Sequence, residues 1–236
     1  MLESIASGGE RIFIFNMLKI VVFDSGYGGE FFADQLAEEL PIVEIIRVID
    51  WRHANQLLLN AKTARKTADE ALRPYINKAD LIIFANYLLT LTSLQFFRKK
   101  YPNQRFIGMS LEQPKSLQKK EIIPILTTKA VAKSLKYQNF IFRLRCKTKT
   151  ITLDTWPAKI DDGELESDEI KLALTPFFEK YRPSSIILIC SQFHDLRPEL
   201  KRIYGPKLKI YDNFDETIKN INRTLKIRGG IKKSKY

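Results

Sequence analysis

Four unbroken apolar runs constrain this chain more than any other feature. LKIVVF (18–23), LIIFA (81–85), IIPIL (122–126) and SIILIC (185–190) each lead into a small or polar residue, and a helix-like pattern follows each. A strand buried on both faces reads as continuous Val, Ile and Leu, whereas a half-exposed strand alternates. The runs therefore predict parallel strands covered by helices, an α/β chain. All are far shorter than the ~20 residues needed to cross a bilayer, so no membrane segment is expected. With 236 residues, 44% hydrophobic and 28% charged, the chain is long and apolar enough for a substantial core.

Between these runs lie weaker units. VEIIRVID (43–50), RFIGMS (105–110), FIFRLRCK (141–147 with Phe140) and LKIYD (208–212) are expected as further strands. EFFADQLAEEL, a long stretch from His53 to Ile76, LTSLQFFRKKY, KAVAKSLKY and SDEIKLALTPFFEKY are expected as helices. The order suggests two pseudo-symmetric lobes with mainly parallel sheets, and a site in the cleft between them. Residues 17–111 plus 206–226 would form the first lobe and 112–205 the second. Residues 1–16 would be an N-terminal extension outside the site, and 227–236 a basic tail.

Spacing supports the repeat. Asn86 follows Asp24 by 62 residues, and Cys190 follows Thr127 by 63, each of the four standing at the end of a candidate strand. Open α/β sheets bind ligands outside the carboxyl ends of their strands, so two such half-sites face to face would line one cleft. The two cysteines, Cys146 and Cys190, are too few for a disulfide scaffold and have no metal-ligand spacing, which fits a reducing, cytoplasmic setting with no metal. The net charge of +12 permits anionic partners without choosing among them. Without interleaved aromatics in the basic tail, nucleic acid is not the expected partner.

Several motifs carry a family resemblance. FDSGYGG (23–29) resembles the opening motif of the glutamate racemases, in the cofactor-independent aspartate/glutamate racemase superfamily. ADLIIFANY (79–87) is similar to the strand leading to their first catalytic Cys. IPILTT with the helix ending in Tyr137 resembles the start of their second lobe, and ILICSQFHDLRPEL (187–200) the segment around their second catalytic Cys. DDGELESDEI and GPKLKIYDNFDET echo smaller stretches, so the likeness is collinear from about Leu18 to Ile221.

The resemblance implies two thiols on opposite faces of a substrate α-carbon, one removing a proton while the other returns one, with no cofactor. Here the first Cys position holds Asn86, whose amide neither titrates nor attacks. Tyr87 and Leu88 replace the family's Asn and Thr after it, Ser191 replaces a Thr, and Gln192 replaces the His after the second Cys. The Pro-Tyr-Gly motif is also missing. Cys190 and Asp24 are thus the expected catalytic residues, with Ser25, Asn86, Tyr87, Thr127, Thr128, Ser191 and Gln192 contacting substrate. Cys190 is expected to be the more reactive thiol if it stands at a helix N-terminus, with Cys146 structural and His194 at a turn or on the surface. The implied ligand is a small glutamate-like acid, in a protein compatible with a homodimer. Two alternatives stay open: a one-thiol lyase like the arylmalonate decarboxylases of the same superfamily, or an inactive ligand-binding homologue.

Overall fold

A computed structural model describes residues 2–7, 10–15, 17–53, 61–112 and 121–225. Ten strands are found among them. β1 (Leu2–Ser7) and β2 (Glu10–Phe15) pair antiparallel with each other. β3 (Leu18–Asp24), β4 (Val43–Ile49), β5 (Leu81–Phe84) and β6 (Phe106–Gly108) form a parallel sheet in the order β4-β3-β5-β6. β7 (Ile122–Thr127), β8 (Lys147–Thr152), β9 (Ser185–Ile189) and β10 (Lys209–Tyr211) form a second, in the order β10-β9-β7-β8. The central strands β3, β5, β7 and β9 are those with the strongest apolar runs, because only a central strand between covering helices loses both faces to the core.

The helices are α1 (Tyr27–Glu39), α2 (Ala61–Leu72), α3 (Tyr87–Lys100), α4 (Lys129–Ala132), α5 (Leu135–Arg143), α6 (Trp156–Asp161), α7 (Ser167–Tyr181), α8 (Arg197–Tyr204) and α9 (Phe214–Leu225). Two parallel sheets flanked by helices make the expected two-lobed α/β architecture. One apolar cluster runs through both lobes: Ile20, Val22 and Ile83 of the first sheet belong to it together with Ile123, Ile125 and Ile187 of the second. Among the described residues, no helix is long and apolar enough to cross a membrane.

Several details differ from the sequence expectation. FIFRLRCK is not a strand: Phe140 to Arg143 complete α5, whose Tyr137 and Phe140 are buried one turn apart, and pairing begins at Lys147. Ser134 starts that helix, accepting a hydrogen bond from the Tyr137 amide through its hydroxyl. The helix expected from His53 to Ile76 is α2 followed by a 3-10 turn at Arg73–Tyr75, and residues 54–60 lie outside the described residues. Within residues 206–226, β10 extends the second sheet by pairing with β9, while α9 packs its Phe214, Ile218 and Ile221 into the shared cluster. Residues 1–16 contain the β1–β2 pair, and the tail at 227–236 lies outside the described residues.

Candidate functional site

Asp24 ends β3 and is fully buried. Its Oδ1 accepts hydrogen bonds from the Ser25 amide (2.7 Å) and from Asn86 Nδ2 (3.0 Å), and its Oδ2 accepts one from Ser191 Oγ (2.9 Å). Asn86 comes from the first lobe and Ser191 from the second, so this one carboxylate ties the two strand-end regions together. Burial raises its pKa, and the Asn86, Ser25 and Ser191 donors pull against that rise. Asn86 has a second duty. It caps α3, its Oδ1 accepting from the Leu89 amide at 2.9 Å.

Cys190 follows β9 and is buried; its Sγ donates to Gln192 Oε1 at 3.1 Å. The condition for an activated thiolate, a helix N-terminus at Cys190, is not met. Gln192 begins only a 3-10 turn, Gln192–Leu196, and although the Gln192 and Phe193 amides favour a thiolate, burial dominates and the Asp24 and Asp161 carboxylates add to it. The thiol is pushed up to about 12. It is therefore held in its protonated form at neutral pH. Cys146, partly buried, is also raised, by burial and by Glu121.

Instead of an open gap, hydrogen bonds join Asn86 to Asp24 and Asp24 to Ser191, whose hydroxyl lies 3.2 Å from the Gln192 oxygen that accepts from the Cys190 thiol. Three glycines make the closure sterically feasible. A Cβ on Gly28 would lie 2.5 Å from the Ser191 backbone carbon, one on Gly29 would lie 2.2 Å from Asp24 Cβ, and one on Gly26 would meet Asp161 Oδ2 at 2.5 Å. The open space lies beside this network. A pocket of about 380 Å³ is lined by Ser25, Tyr27, Trp51, Ala158, Asp161 and Asp162.

Asp161 is absent from the residues that the motifs single out, although it opens the DDGELESDEI stretch. Its Oδ1 accepts from the Tyr27 amide at 3.2 Å, linking α6 to α1. Burial raises it to about 6, against the pull of Tyr27 and the Gln192 amide, with Asp24 and Asp162 adding to the rise. A pKa near the working range suits a group that exchanges protons. No spacing rule flags a carboxylate that becomes special only through burial.

Other expected contacts point elsewhere. Thr127 is fully buried and donates to the Ile189 carbonyl at 2.9 Å, bracing β7 against β9. Thr128 caps α4 through the Val131 amide. Tyr87 is buried, donates to the Asp212 carbonyl at 2.6 Å and has its pKa raised by burial first and by Asp212 next. His194 lies in the 3-10 turn Gln192–Leu196 and is partly buried. Its ring stacks on Phe31 and Phe214, and its Nδ1 lies 2.6 Å from Asp212 Oδ2, which also accepts from Arg197 at 2.7 Å. Among the described residues no cluster of His, Cys, Asp and Glu has metal-binding geometry.

No family model matches the chain. It is similar to the glutamate racemase of Clostridium perfringens strain SM101, 26% identical over 212 residues that cover 86% of this chain and 81% of the relative. Its fold is similar to that of the glutamate racemase of Campylobacter jejuni subsp. jejuni, with a TM-score of 0.76, 24% identity and coverage of 92% and 88%. The Escherichia coli glutamate racemase, solved with L-glutamate and the activator UDP-MurNAc-ala, gives a TM-score of 0.74 at 18% identity, covering 91% and 84%. The chain resembles the glutamate racemases in sequence over most of its length and shares their fold. Against the motifs of those racemases it departs at Asn86, Tyr87, Leu88, Ser191 and Gln192, while Asp24, Ser25 and Cys190 keep the pattern.

Proposed function

We propose that the protein transfers protons at the α-carbon of an acidic amino acid without a cofactor, using Cys190 as its single thiol. The observation that carries this reading is the network joining Asp24 and Asn86 of one lobe to Ser191, Gln192 and Cys190 of the other. The glutamate bound by the Escherichia coli relative supports the substrate class. A substrate would enter from the pocket at Ser25 and Asp161 and displace the Gln192 oxygen from the thiol. Cys190, after losing its own proton, would take the substrate α-proton as the thiolate and return a solvent-exchanged proton to the same face of the resulting carbanion, and Asp24 and Ser25 would hold the amino and carboxylate groups. On the other face Asn86 offers no base.

One observation favours a second reading, the one-thiol lyase. A thiol held protonated at about 12 is suited to quench a carbanion left by decarboxylation and poorly suited to abstract an α-proton. The two readings separate in deuterated water. Native protein is expected to exchange the α-proton of glutamate with retention, or to decarboxylate a malonate-type acid to one enantiomer, and Cys190→Ser to do neither. Asn86→Cys supplies the second thiol and is expected to gain enantiomer conversion. The gain is limited by loss of the α3 cap, about 1 kcal/mol, and of a donor to Asp24. Robust racemisation by native protein overturns the one-thiol reading, and inactivity of native protein and Asn86→Cys on both substrates leaves ligand binding as the function.

A further inference from the structure

The outer surface of the second lobe has a composition that catalysis does not use. From Lys133 to Thr152 the chain carries six cations, Lys133, Lys136, Arg143, Arg145, Lys147 and Lys149, and no Asp or Glu, in a protein whose net charge is +12. Among the described residues none of the six takes part in an ion pair. Five are exposed outright around α5 and along β8, and Lys133 is exposed at the end of α4. Lys136 has its pKa lowered by burial of its stem and, next, by the Arg98 guanidinium, so positive charge crowds here without a counterion.

Two large apolar side chains stand among them. Leu135 is 82% exposed and Phe142 90%. Seven residues bring a helix to about 20° short of two full turns, so these two share one face of α5, about 10.5 Å apart. Lys136 and Arg143, each one position on, form a parallel row by the same arithmetic. The opposite face is fixed. Tyr137 and Phe140 are buried, and Tyr137 Oη lies 2.8 Å from Thr150 Oγ1 of β8. β8 is an edge strand whose Thr150 faces α5, so Lys147 and Lys149, at odd spacing from it, project to the other face of the sheet, away from Leu135 and Phe142.

We propose that the outer face of α5, with its Lys136 and Arg143 and the flanking Lys133, forms a docking surface for an anionic lipid bilayer, on which the protein lies without crossing it. Cations would meet the headgroups while Leu135 and Phe142 enter the boundary beneath them. The apolar pair selects this occupant. A single-stranded nucleic acid would engage the cations with its backbone and the Phe142 ring with a base, but it has no use for an exposed Leu in register with that ring.

The test is sedimentation of the full chain with phosphatidylcholine vesicles, with and without one-third phosphatidylserine, beside a fluorescent single-stranded oligonucleotide. Binding is expected to the anionic vesicles only and to weaken with salt. Leu135→Ser with Phe142→Ser should reduce it about tenfold. Lys136→Glu with Arg143→Glu should reduce it more, at about fivefold or greater per charge. Lys78→Glu with Lys207→Glu alters charge as much outside the patch and should leave binding near native. All these side chains are exposed, and unchanged melting temperatures show that each variant folds. Absence of native binding at low salt, insensitivity to the apolar pair, equal loss in the control variant, or tighter binding of the oligonucleotide than of the vesicles would each overturn the proposal.

Discussion

A buried carboxylate and a buried thiol share one proton economy at the residue scale. Because Asp24 and then Asp161 both hold the Cys190 proton in place, Asp161→Asn is expected to lower the thiol pKa and speed its alkylation. In native protein, Cys146 should label first, since it is partly exposed while Cys190 is buried. Site-resolved mass spectrometry across pH 7 to 10 checks both; faster labelling of native Cys190 would mean that the lobes are open in solution. Asp161 also sets a stability slope. Its folded pKa of about 6 lies above the ordinary 3.8, so between these values the folded chain holds a proton that the unfolded chain releases. Stability from this group is therefore lost as pH rises through that window. After solvent screening the effect is on the order of 1 kcal/mol. Asp161→Asn should gain about that much relative to native protein between pH 4 and pH 7, measured by melting temperature, and a pH-independent difference would contradict the raised pKa. Asp24 and Cys190 could be read from their motifs, whereas Asp161 could not, because burial and neighbouring charge create its character.

Elements differ in how plainly the sequence announces them. β3, β5, β7 and β9 were legible because both their faces are buried, which leaves no polar position to interrupt the run. The edge strand β8, KTKTIT, was hidden by its own lysines, and the apolar FIF before it belongs to a helix because Tyr137 and Phe140 face inward at helical spacing. The DSGYGG turn was legible as a strand-to-helix junction, but the reason for its glycines lies in the other lobe. Gly28 admits the Ser191–Gln192 backbone to the first turn of α1, where a Cβ would stand 2.5 Å from Ser191 and 2.6 Å from the Gln192 nitrogen. Gly28→Ala should therefore push this junction apart, with destabilisation of about 1–3 kcal/mol. It should also expose Cys190 to faster labelling. Loss of stability without faster labelling would place the strain within α1 and not between the lobes.

For the whole molecule, continuity of the core decides how the two lobes behave. The cluster that holds Ile20 and Ile83 also holds Ile125 and Ile187, and α9 adds Phe214, Ile218 and Ile221, so neither lobe keeps a complete core without the other. A polar clasp lies beside it. Asp212 follows β10 and receives His194 and Arg197 on one oxygen and the Phe214 amide on the other, while its carbonyl receives Tyr87 from the first lobe. The His194 contact and the Arg197 guanidinium hold the Asp212 carboxyl below the usual range in spite of its burial. Its contribution is thus present at neutral pH and is lost only as pH falls through its folded pKa. Asp212→Asn keeps the shape but removes the charge facing Arg197, and is expected to destabilise by on the order of 2 kcal/mol at pH 7, with the difference shrinking in acid. Because the core is shared, the loss should shift one cooperative transition. Urea unfolding in a Trp51→Phe background, followed by far-ultraviolet circular dichroism and by the fluorescence of Trp156, which is buried in the second lobe, should give coincident midpoints that move together in the variant. A Trp156 transition that separates from the circular dichroism curve would mean that the second lobe unfolds alone and that the apolar cluster does not couple the two.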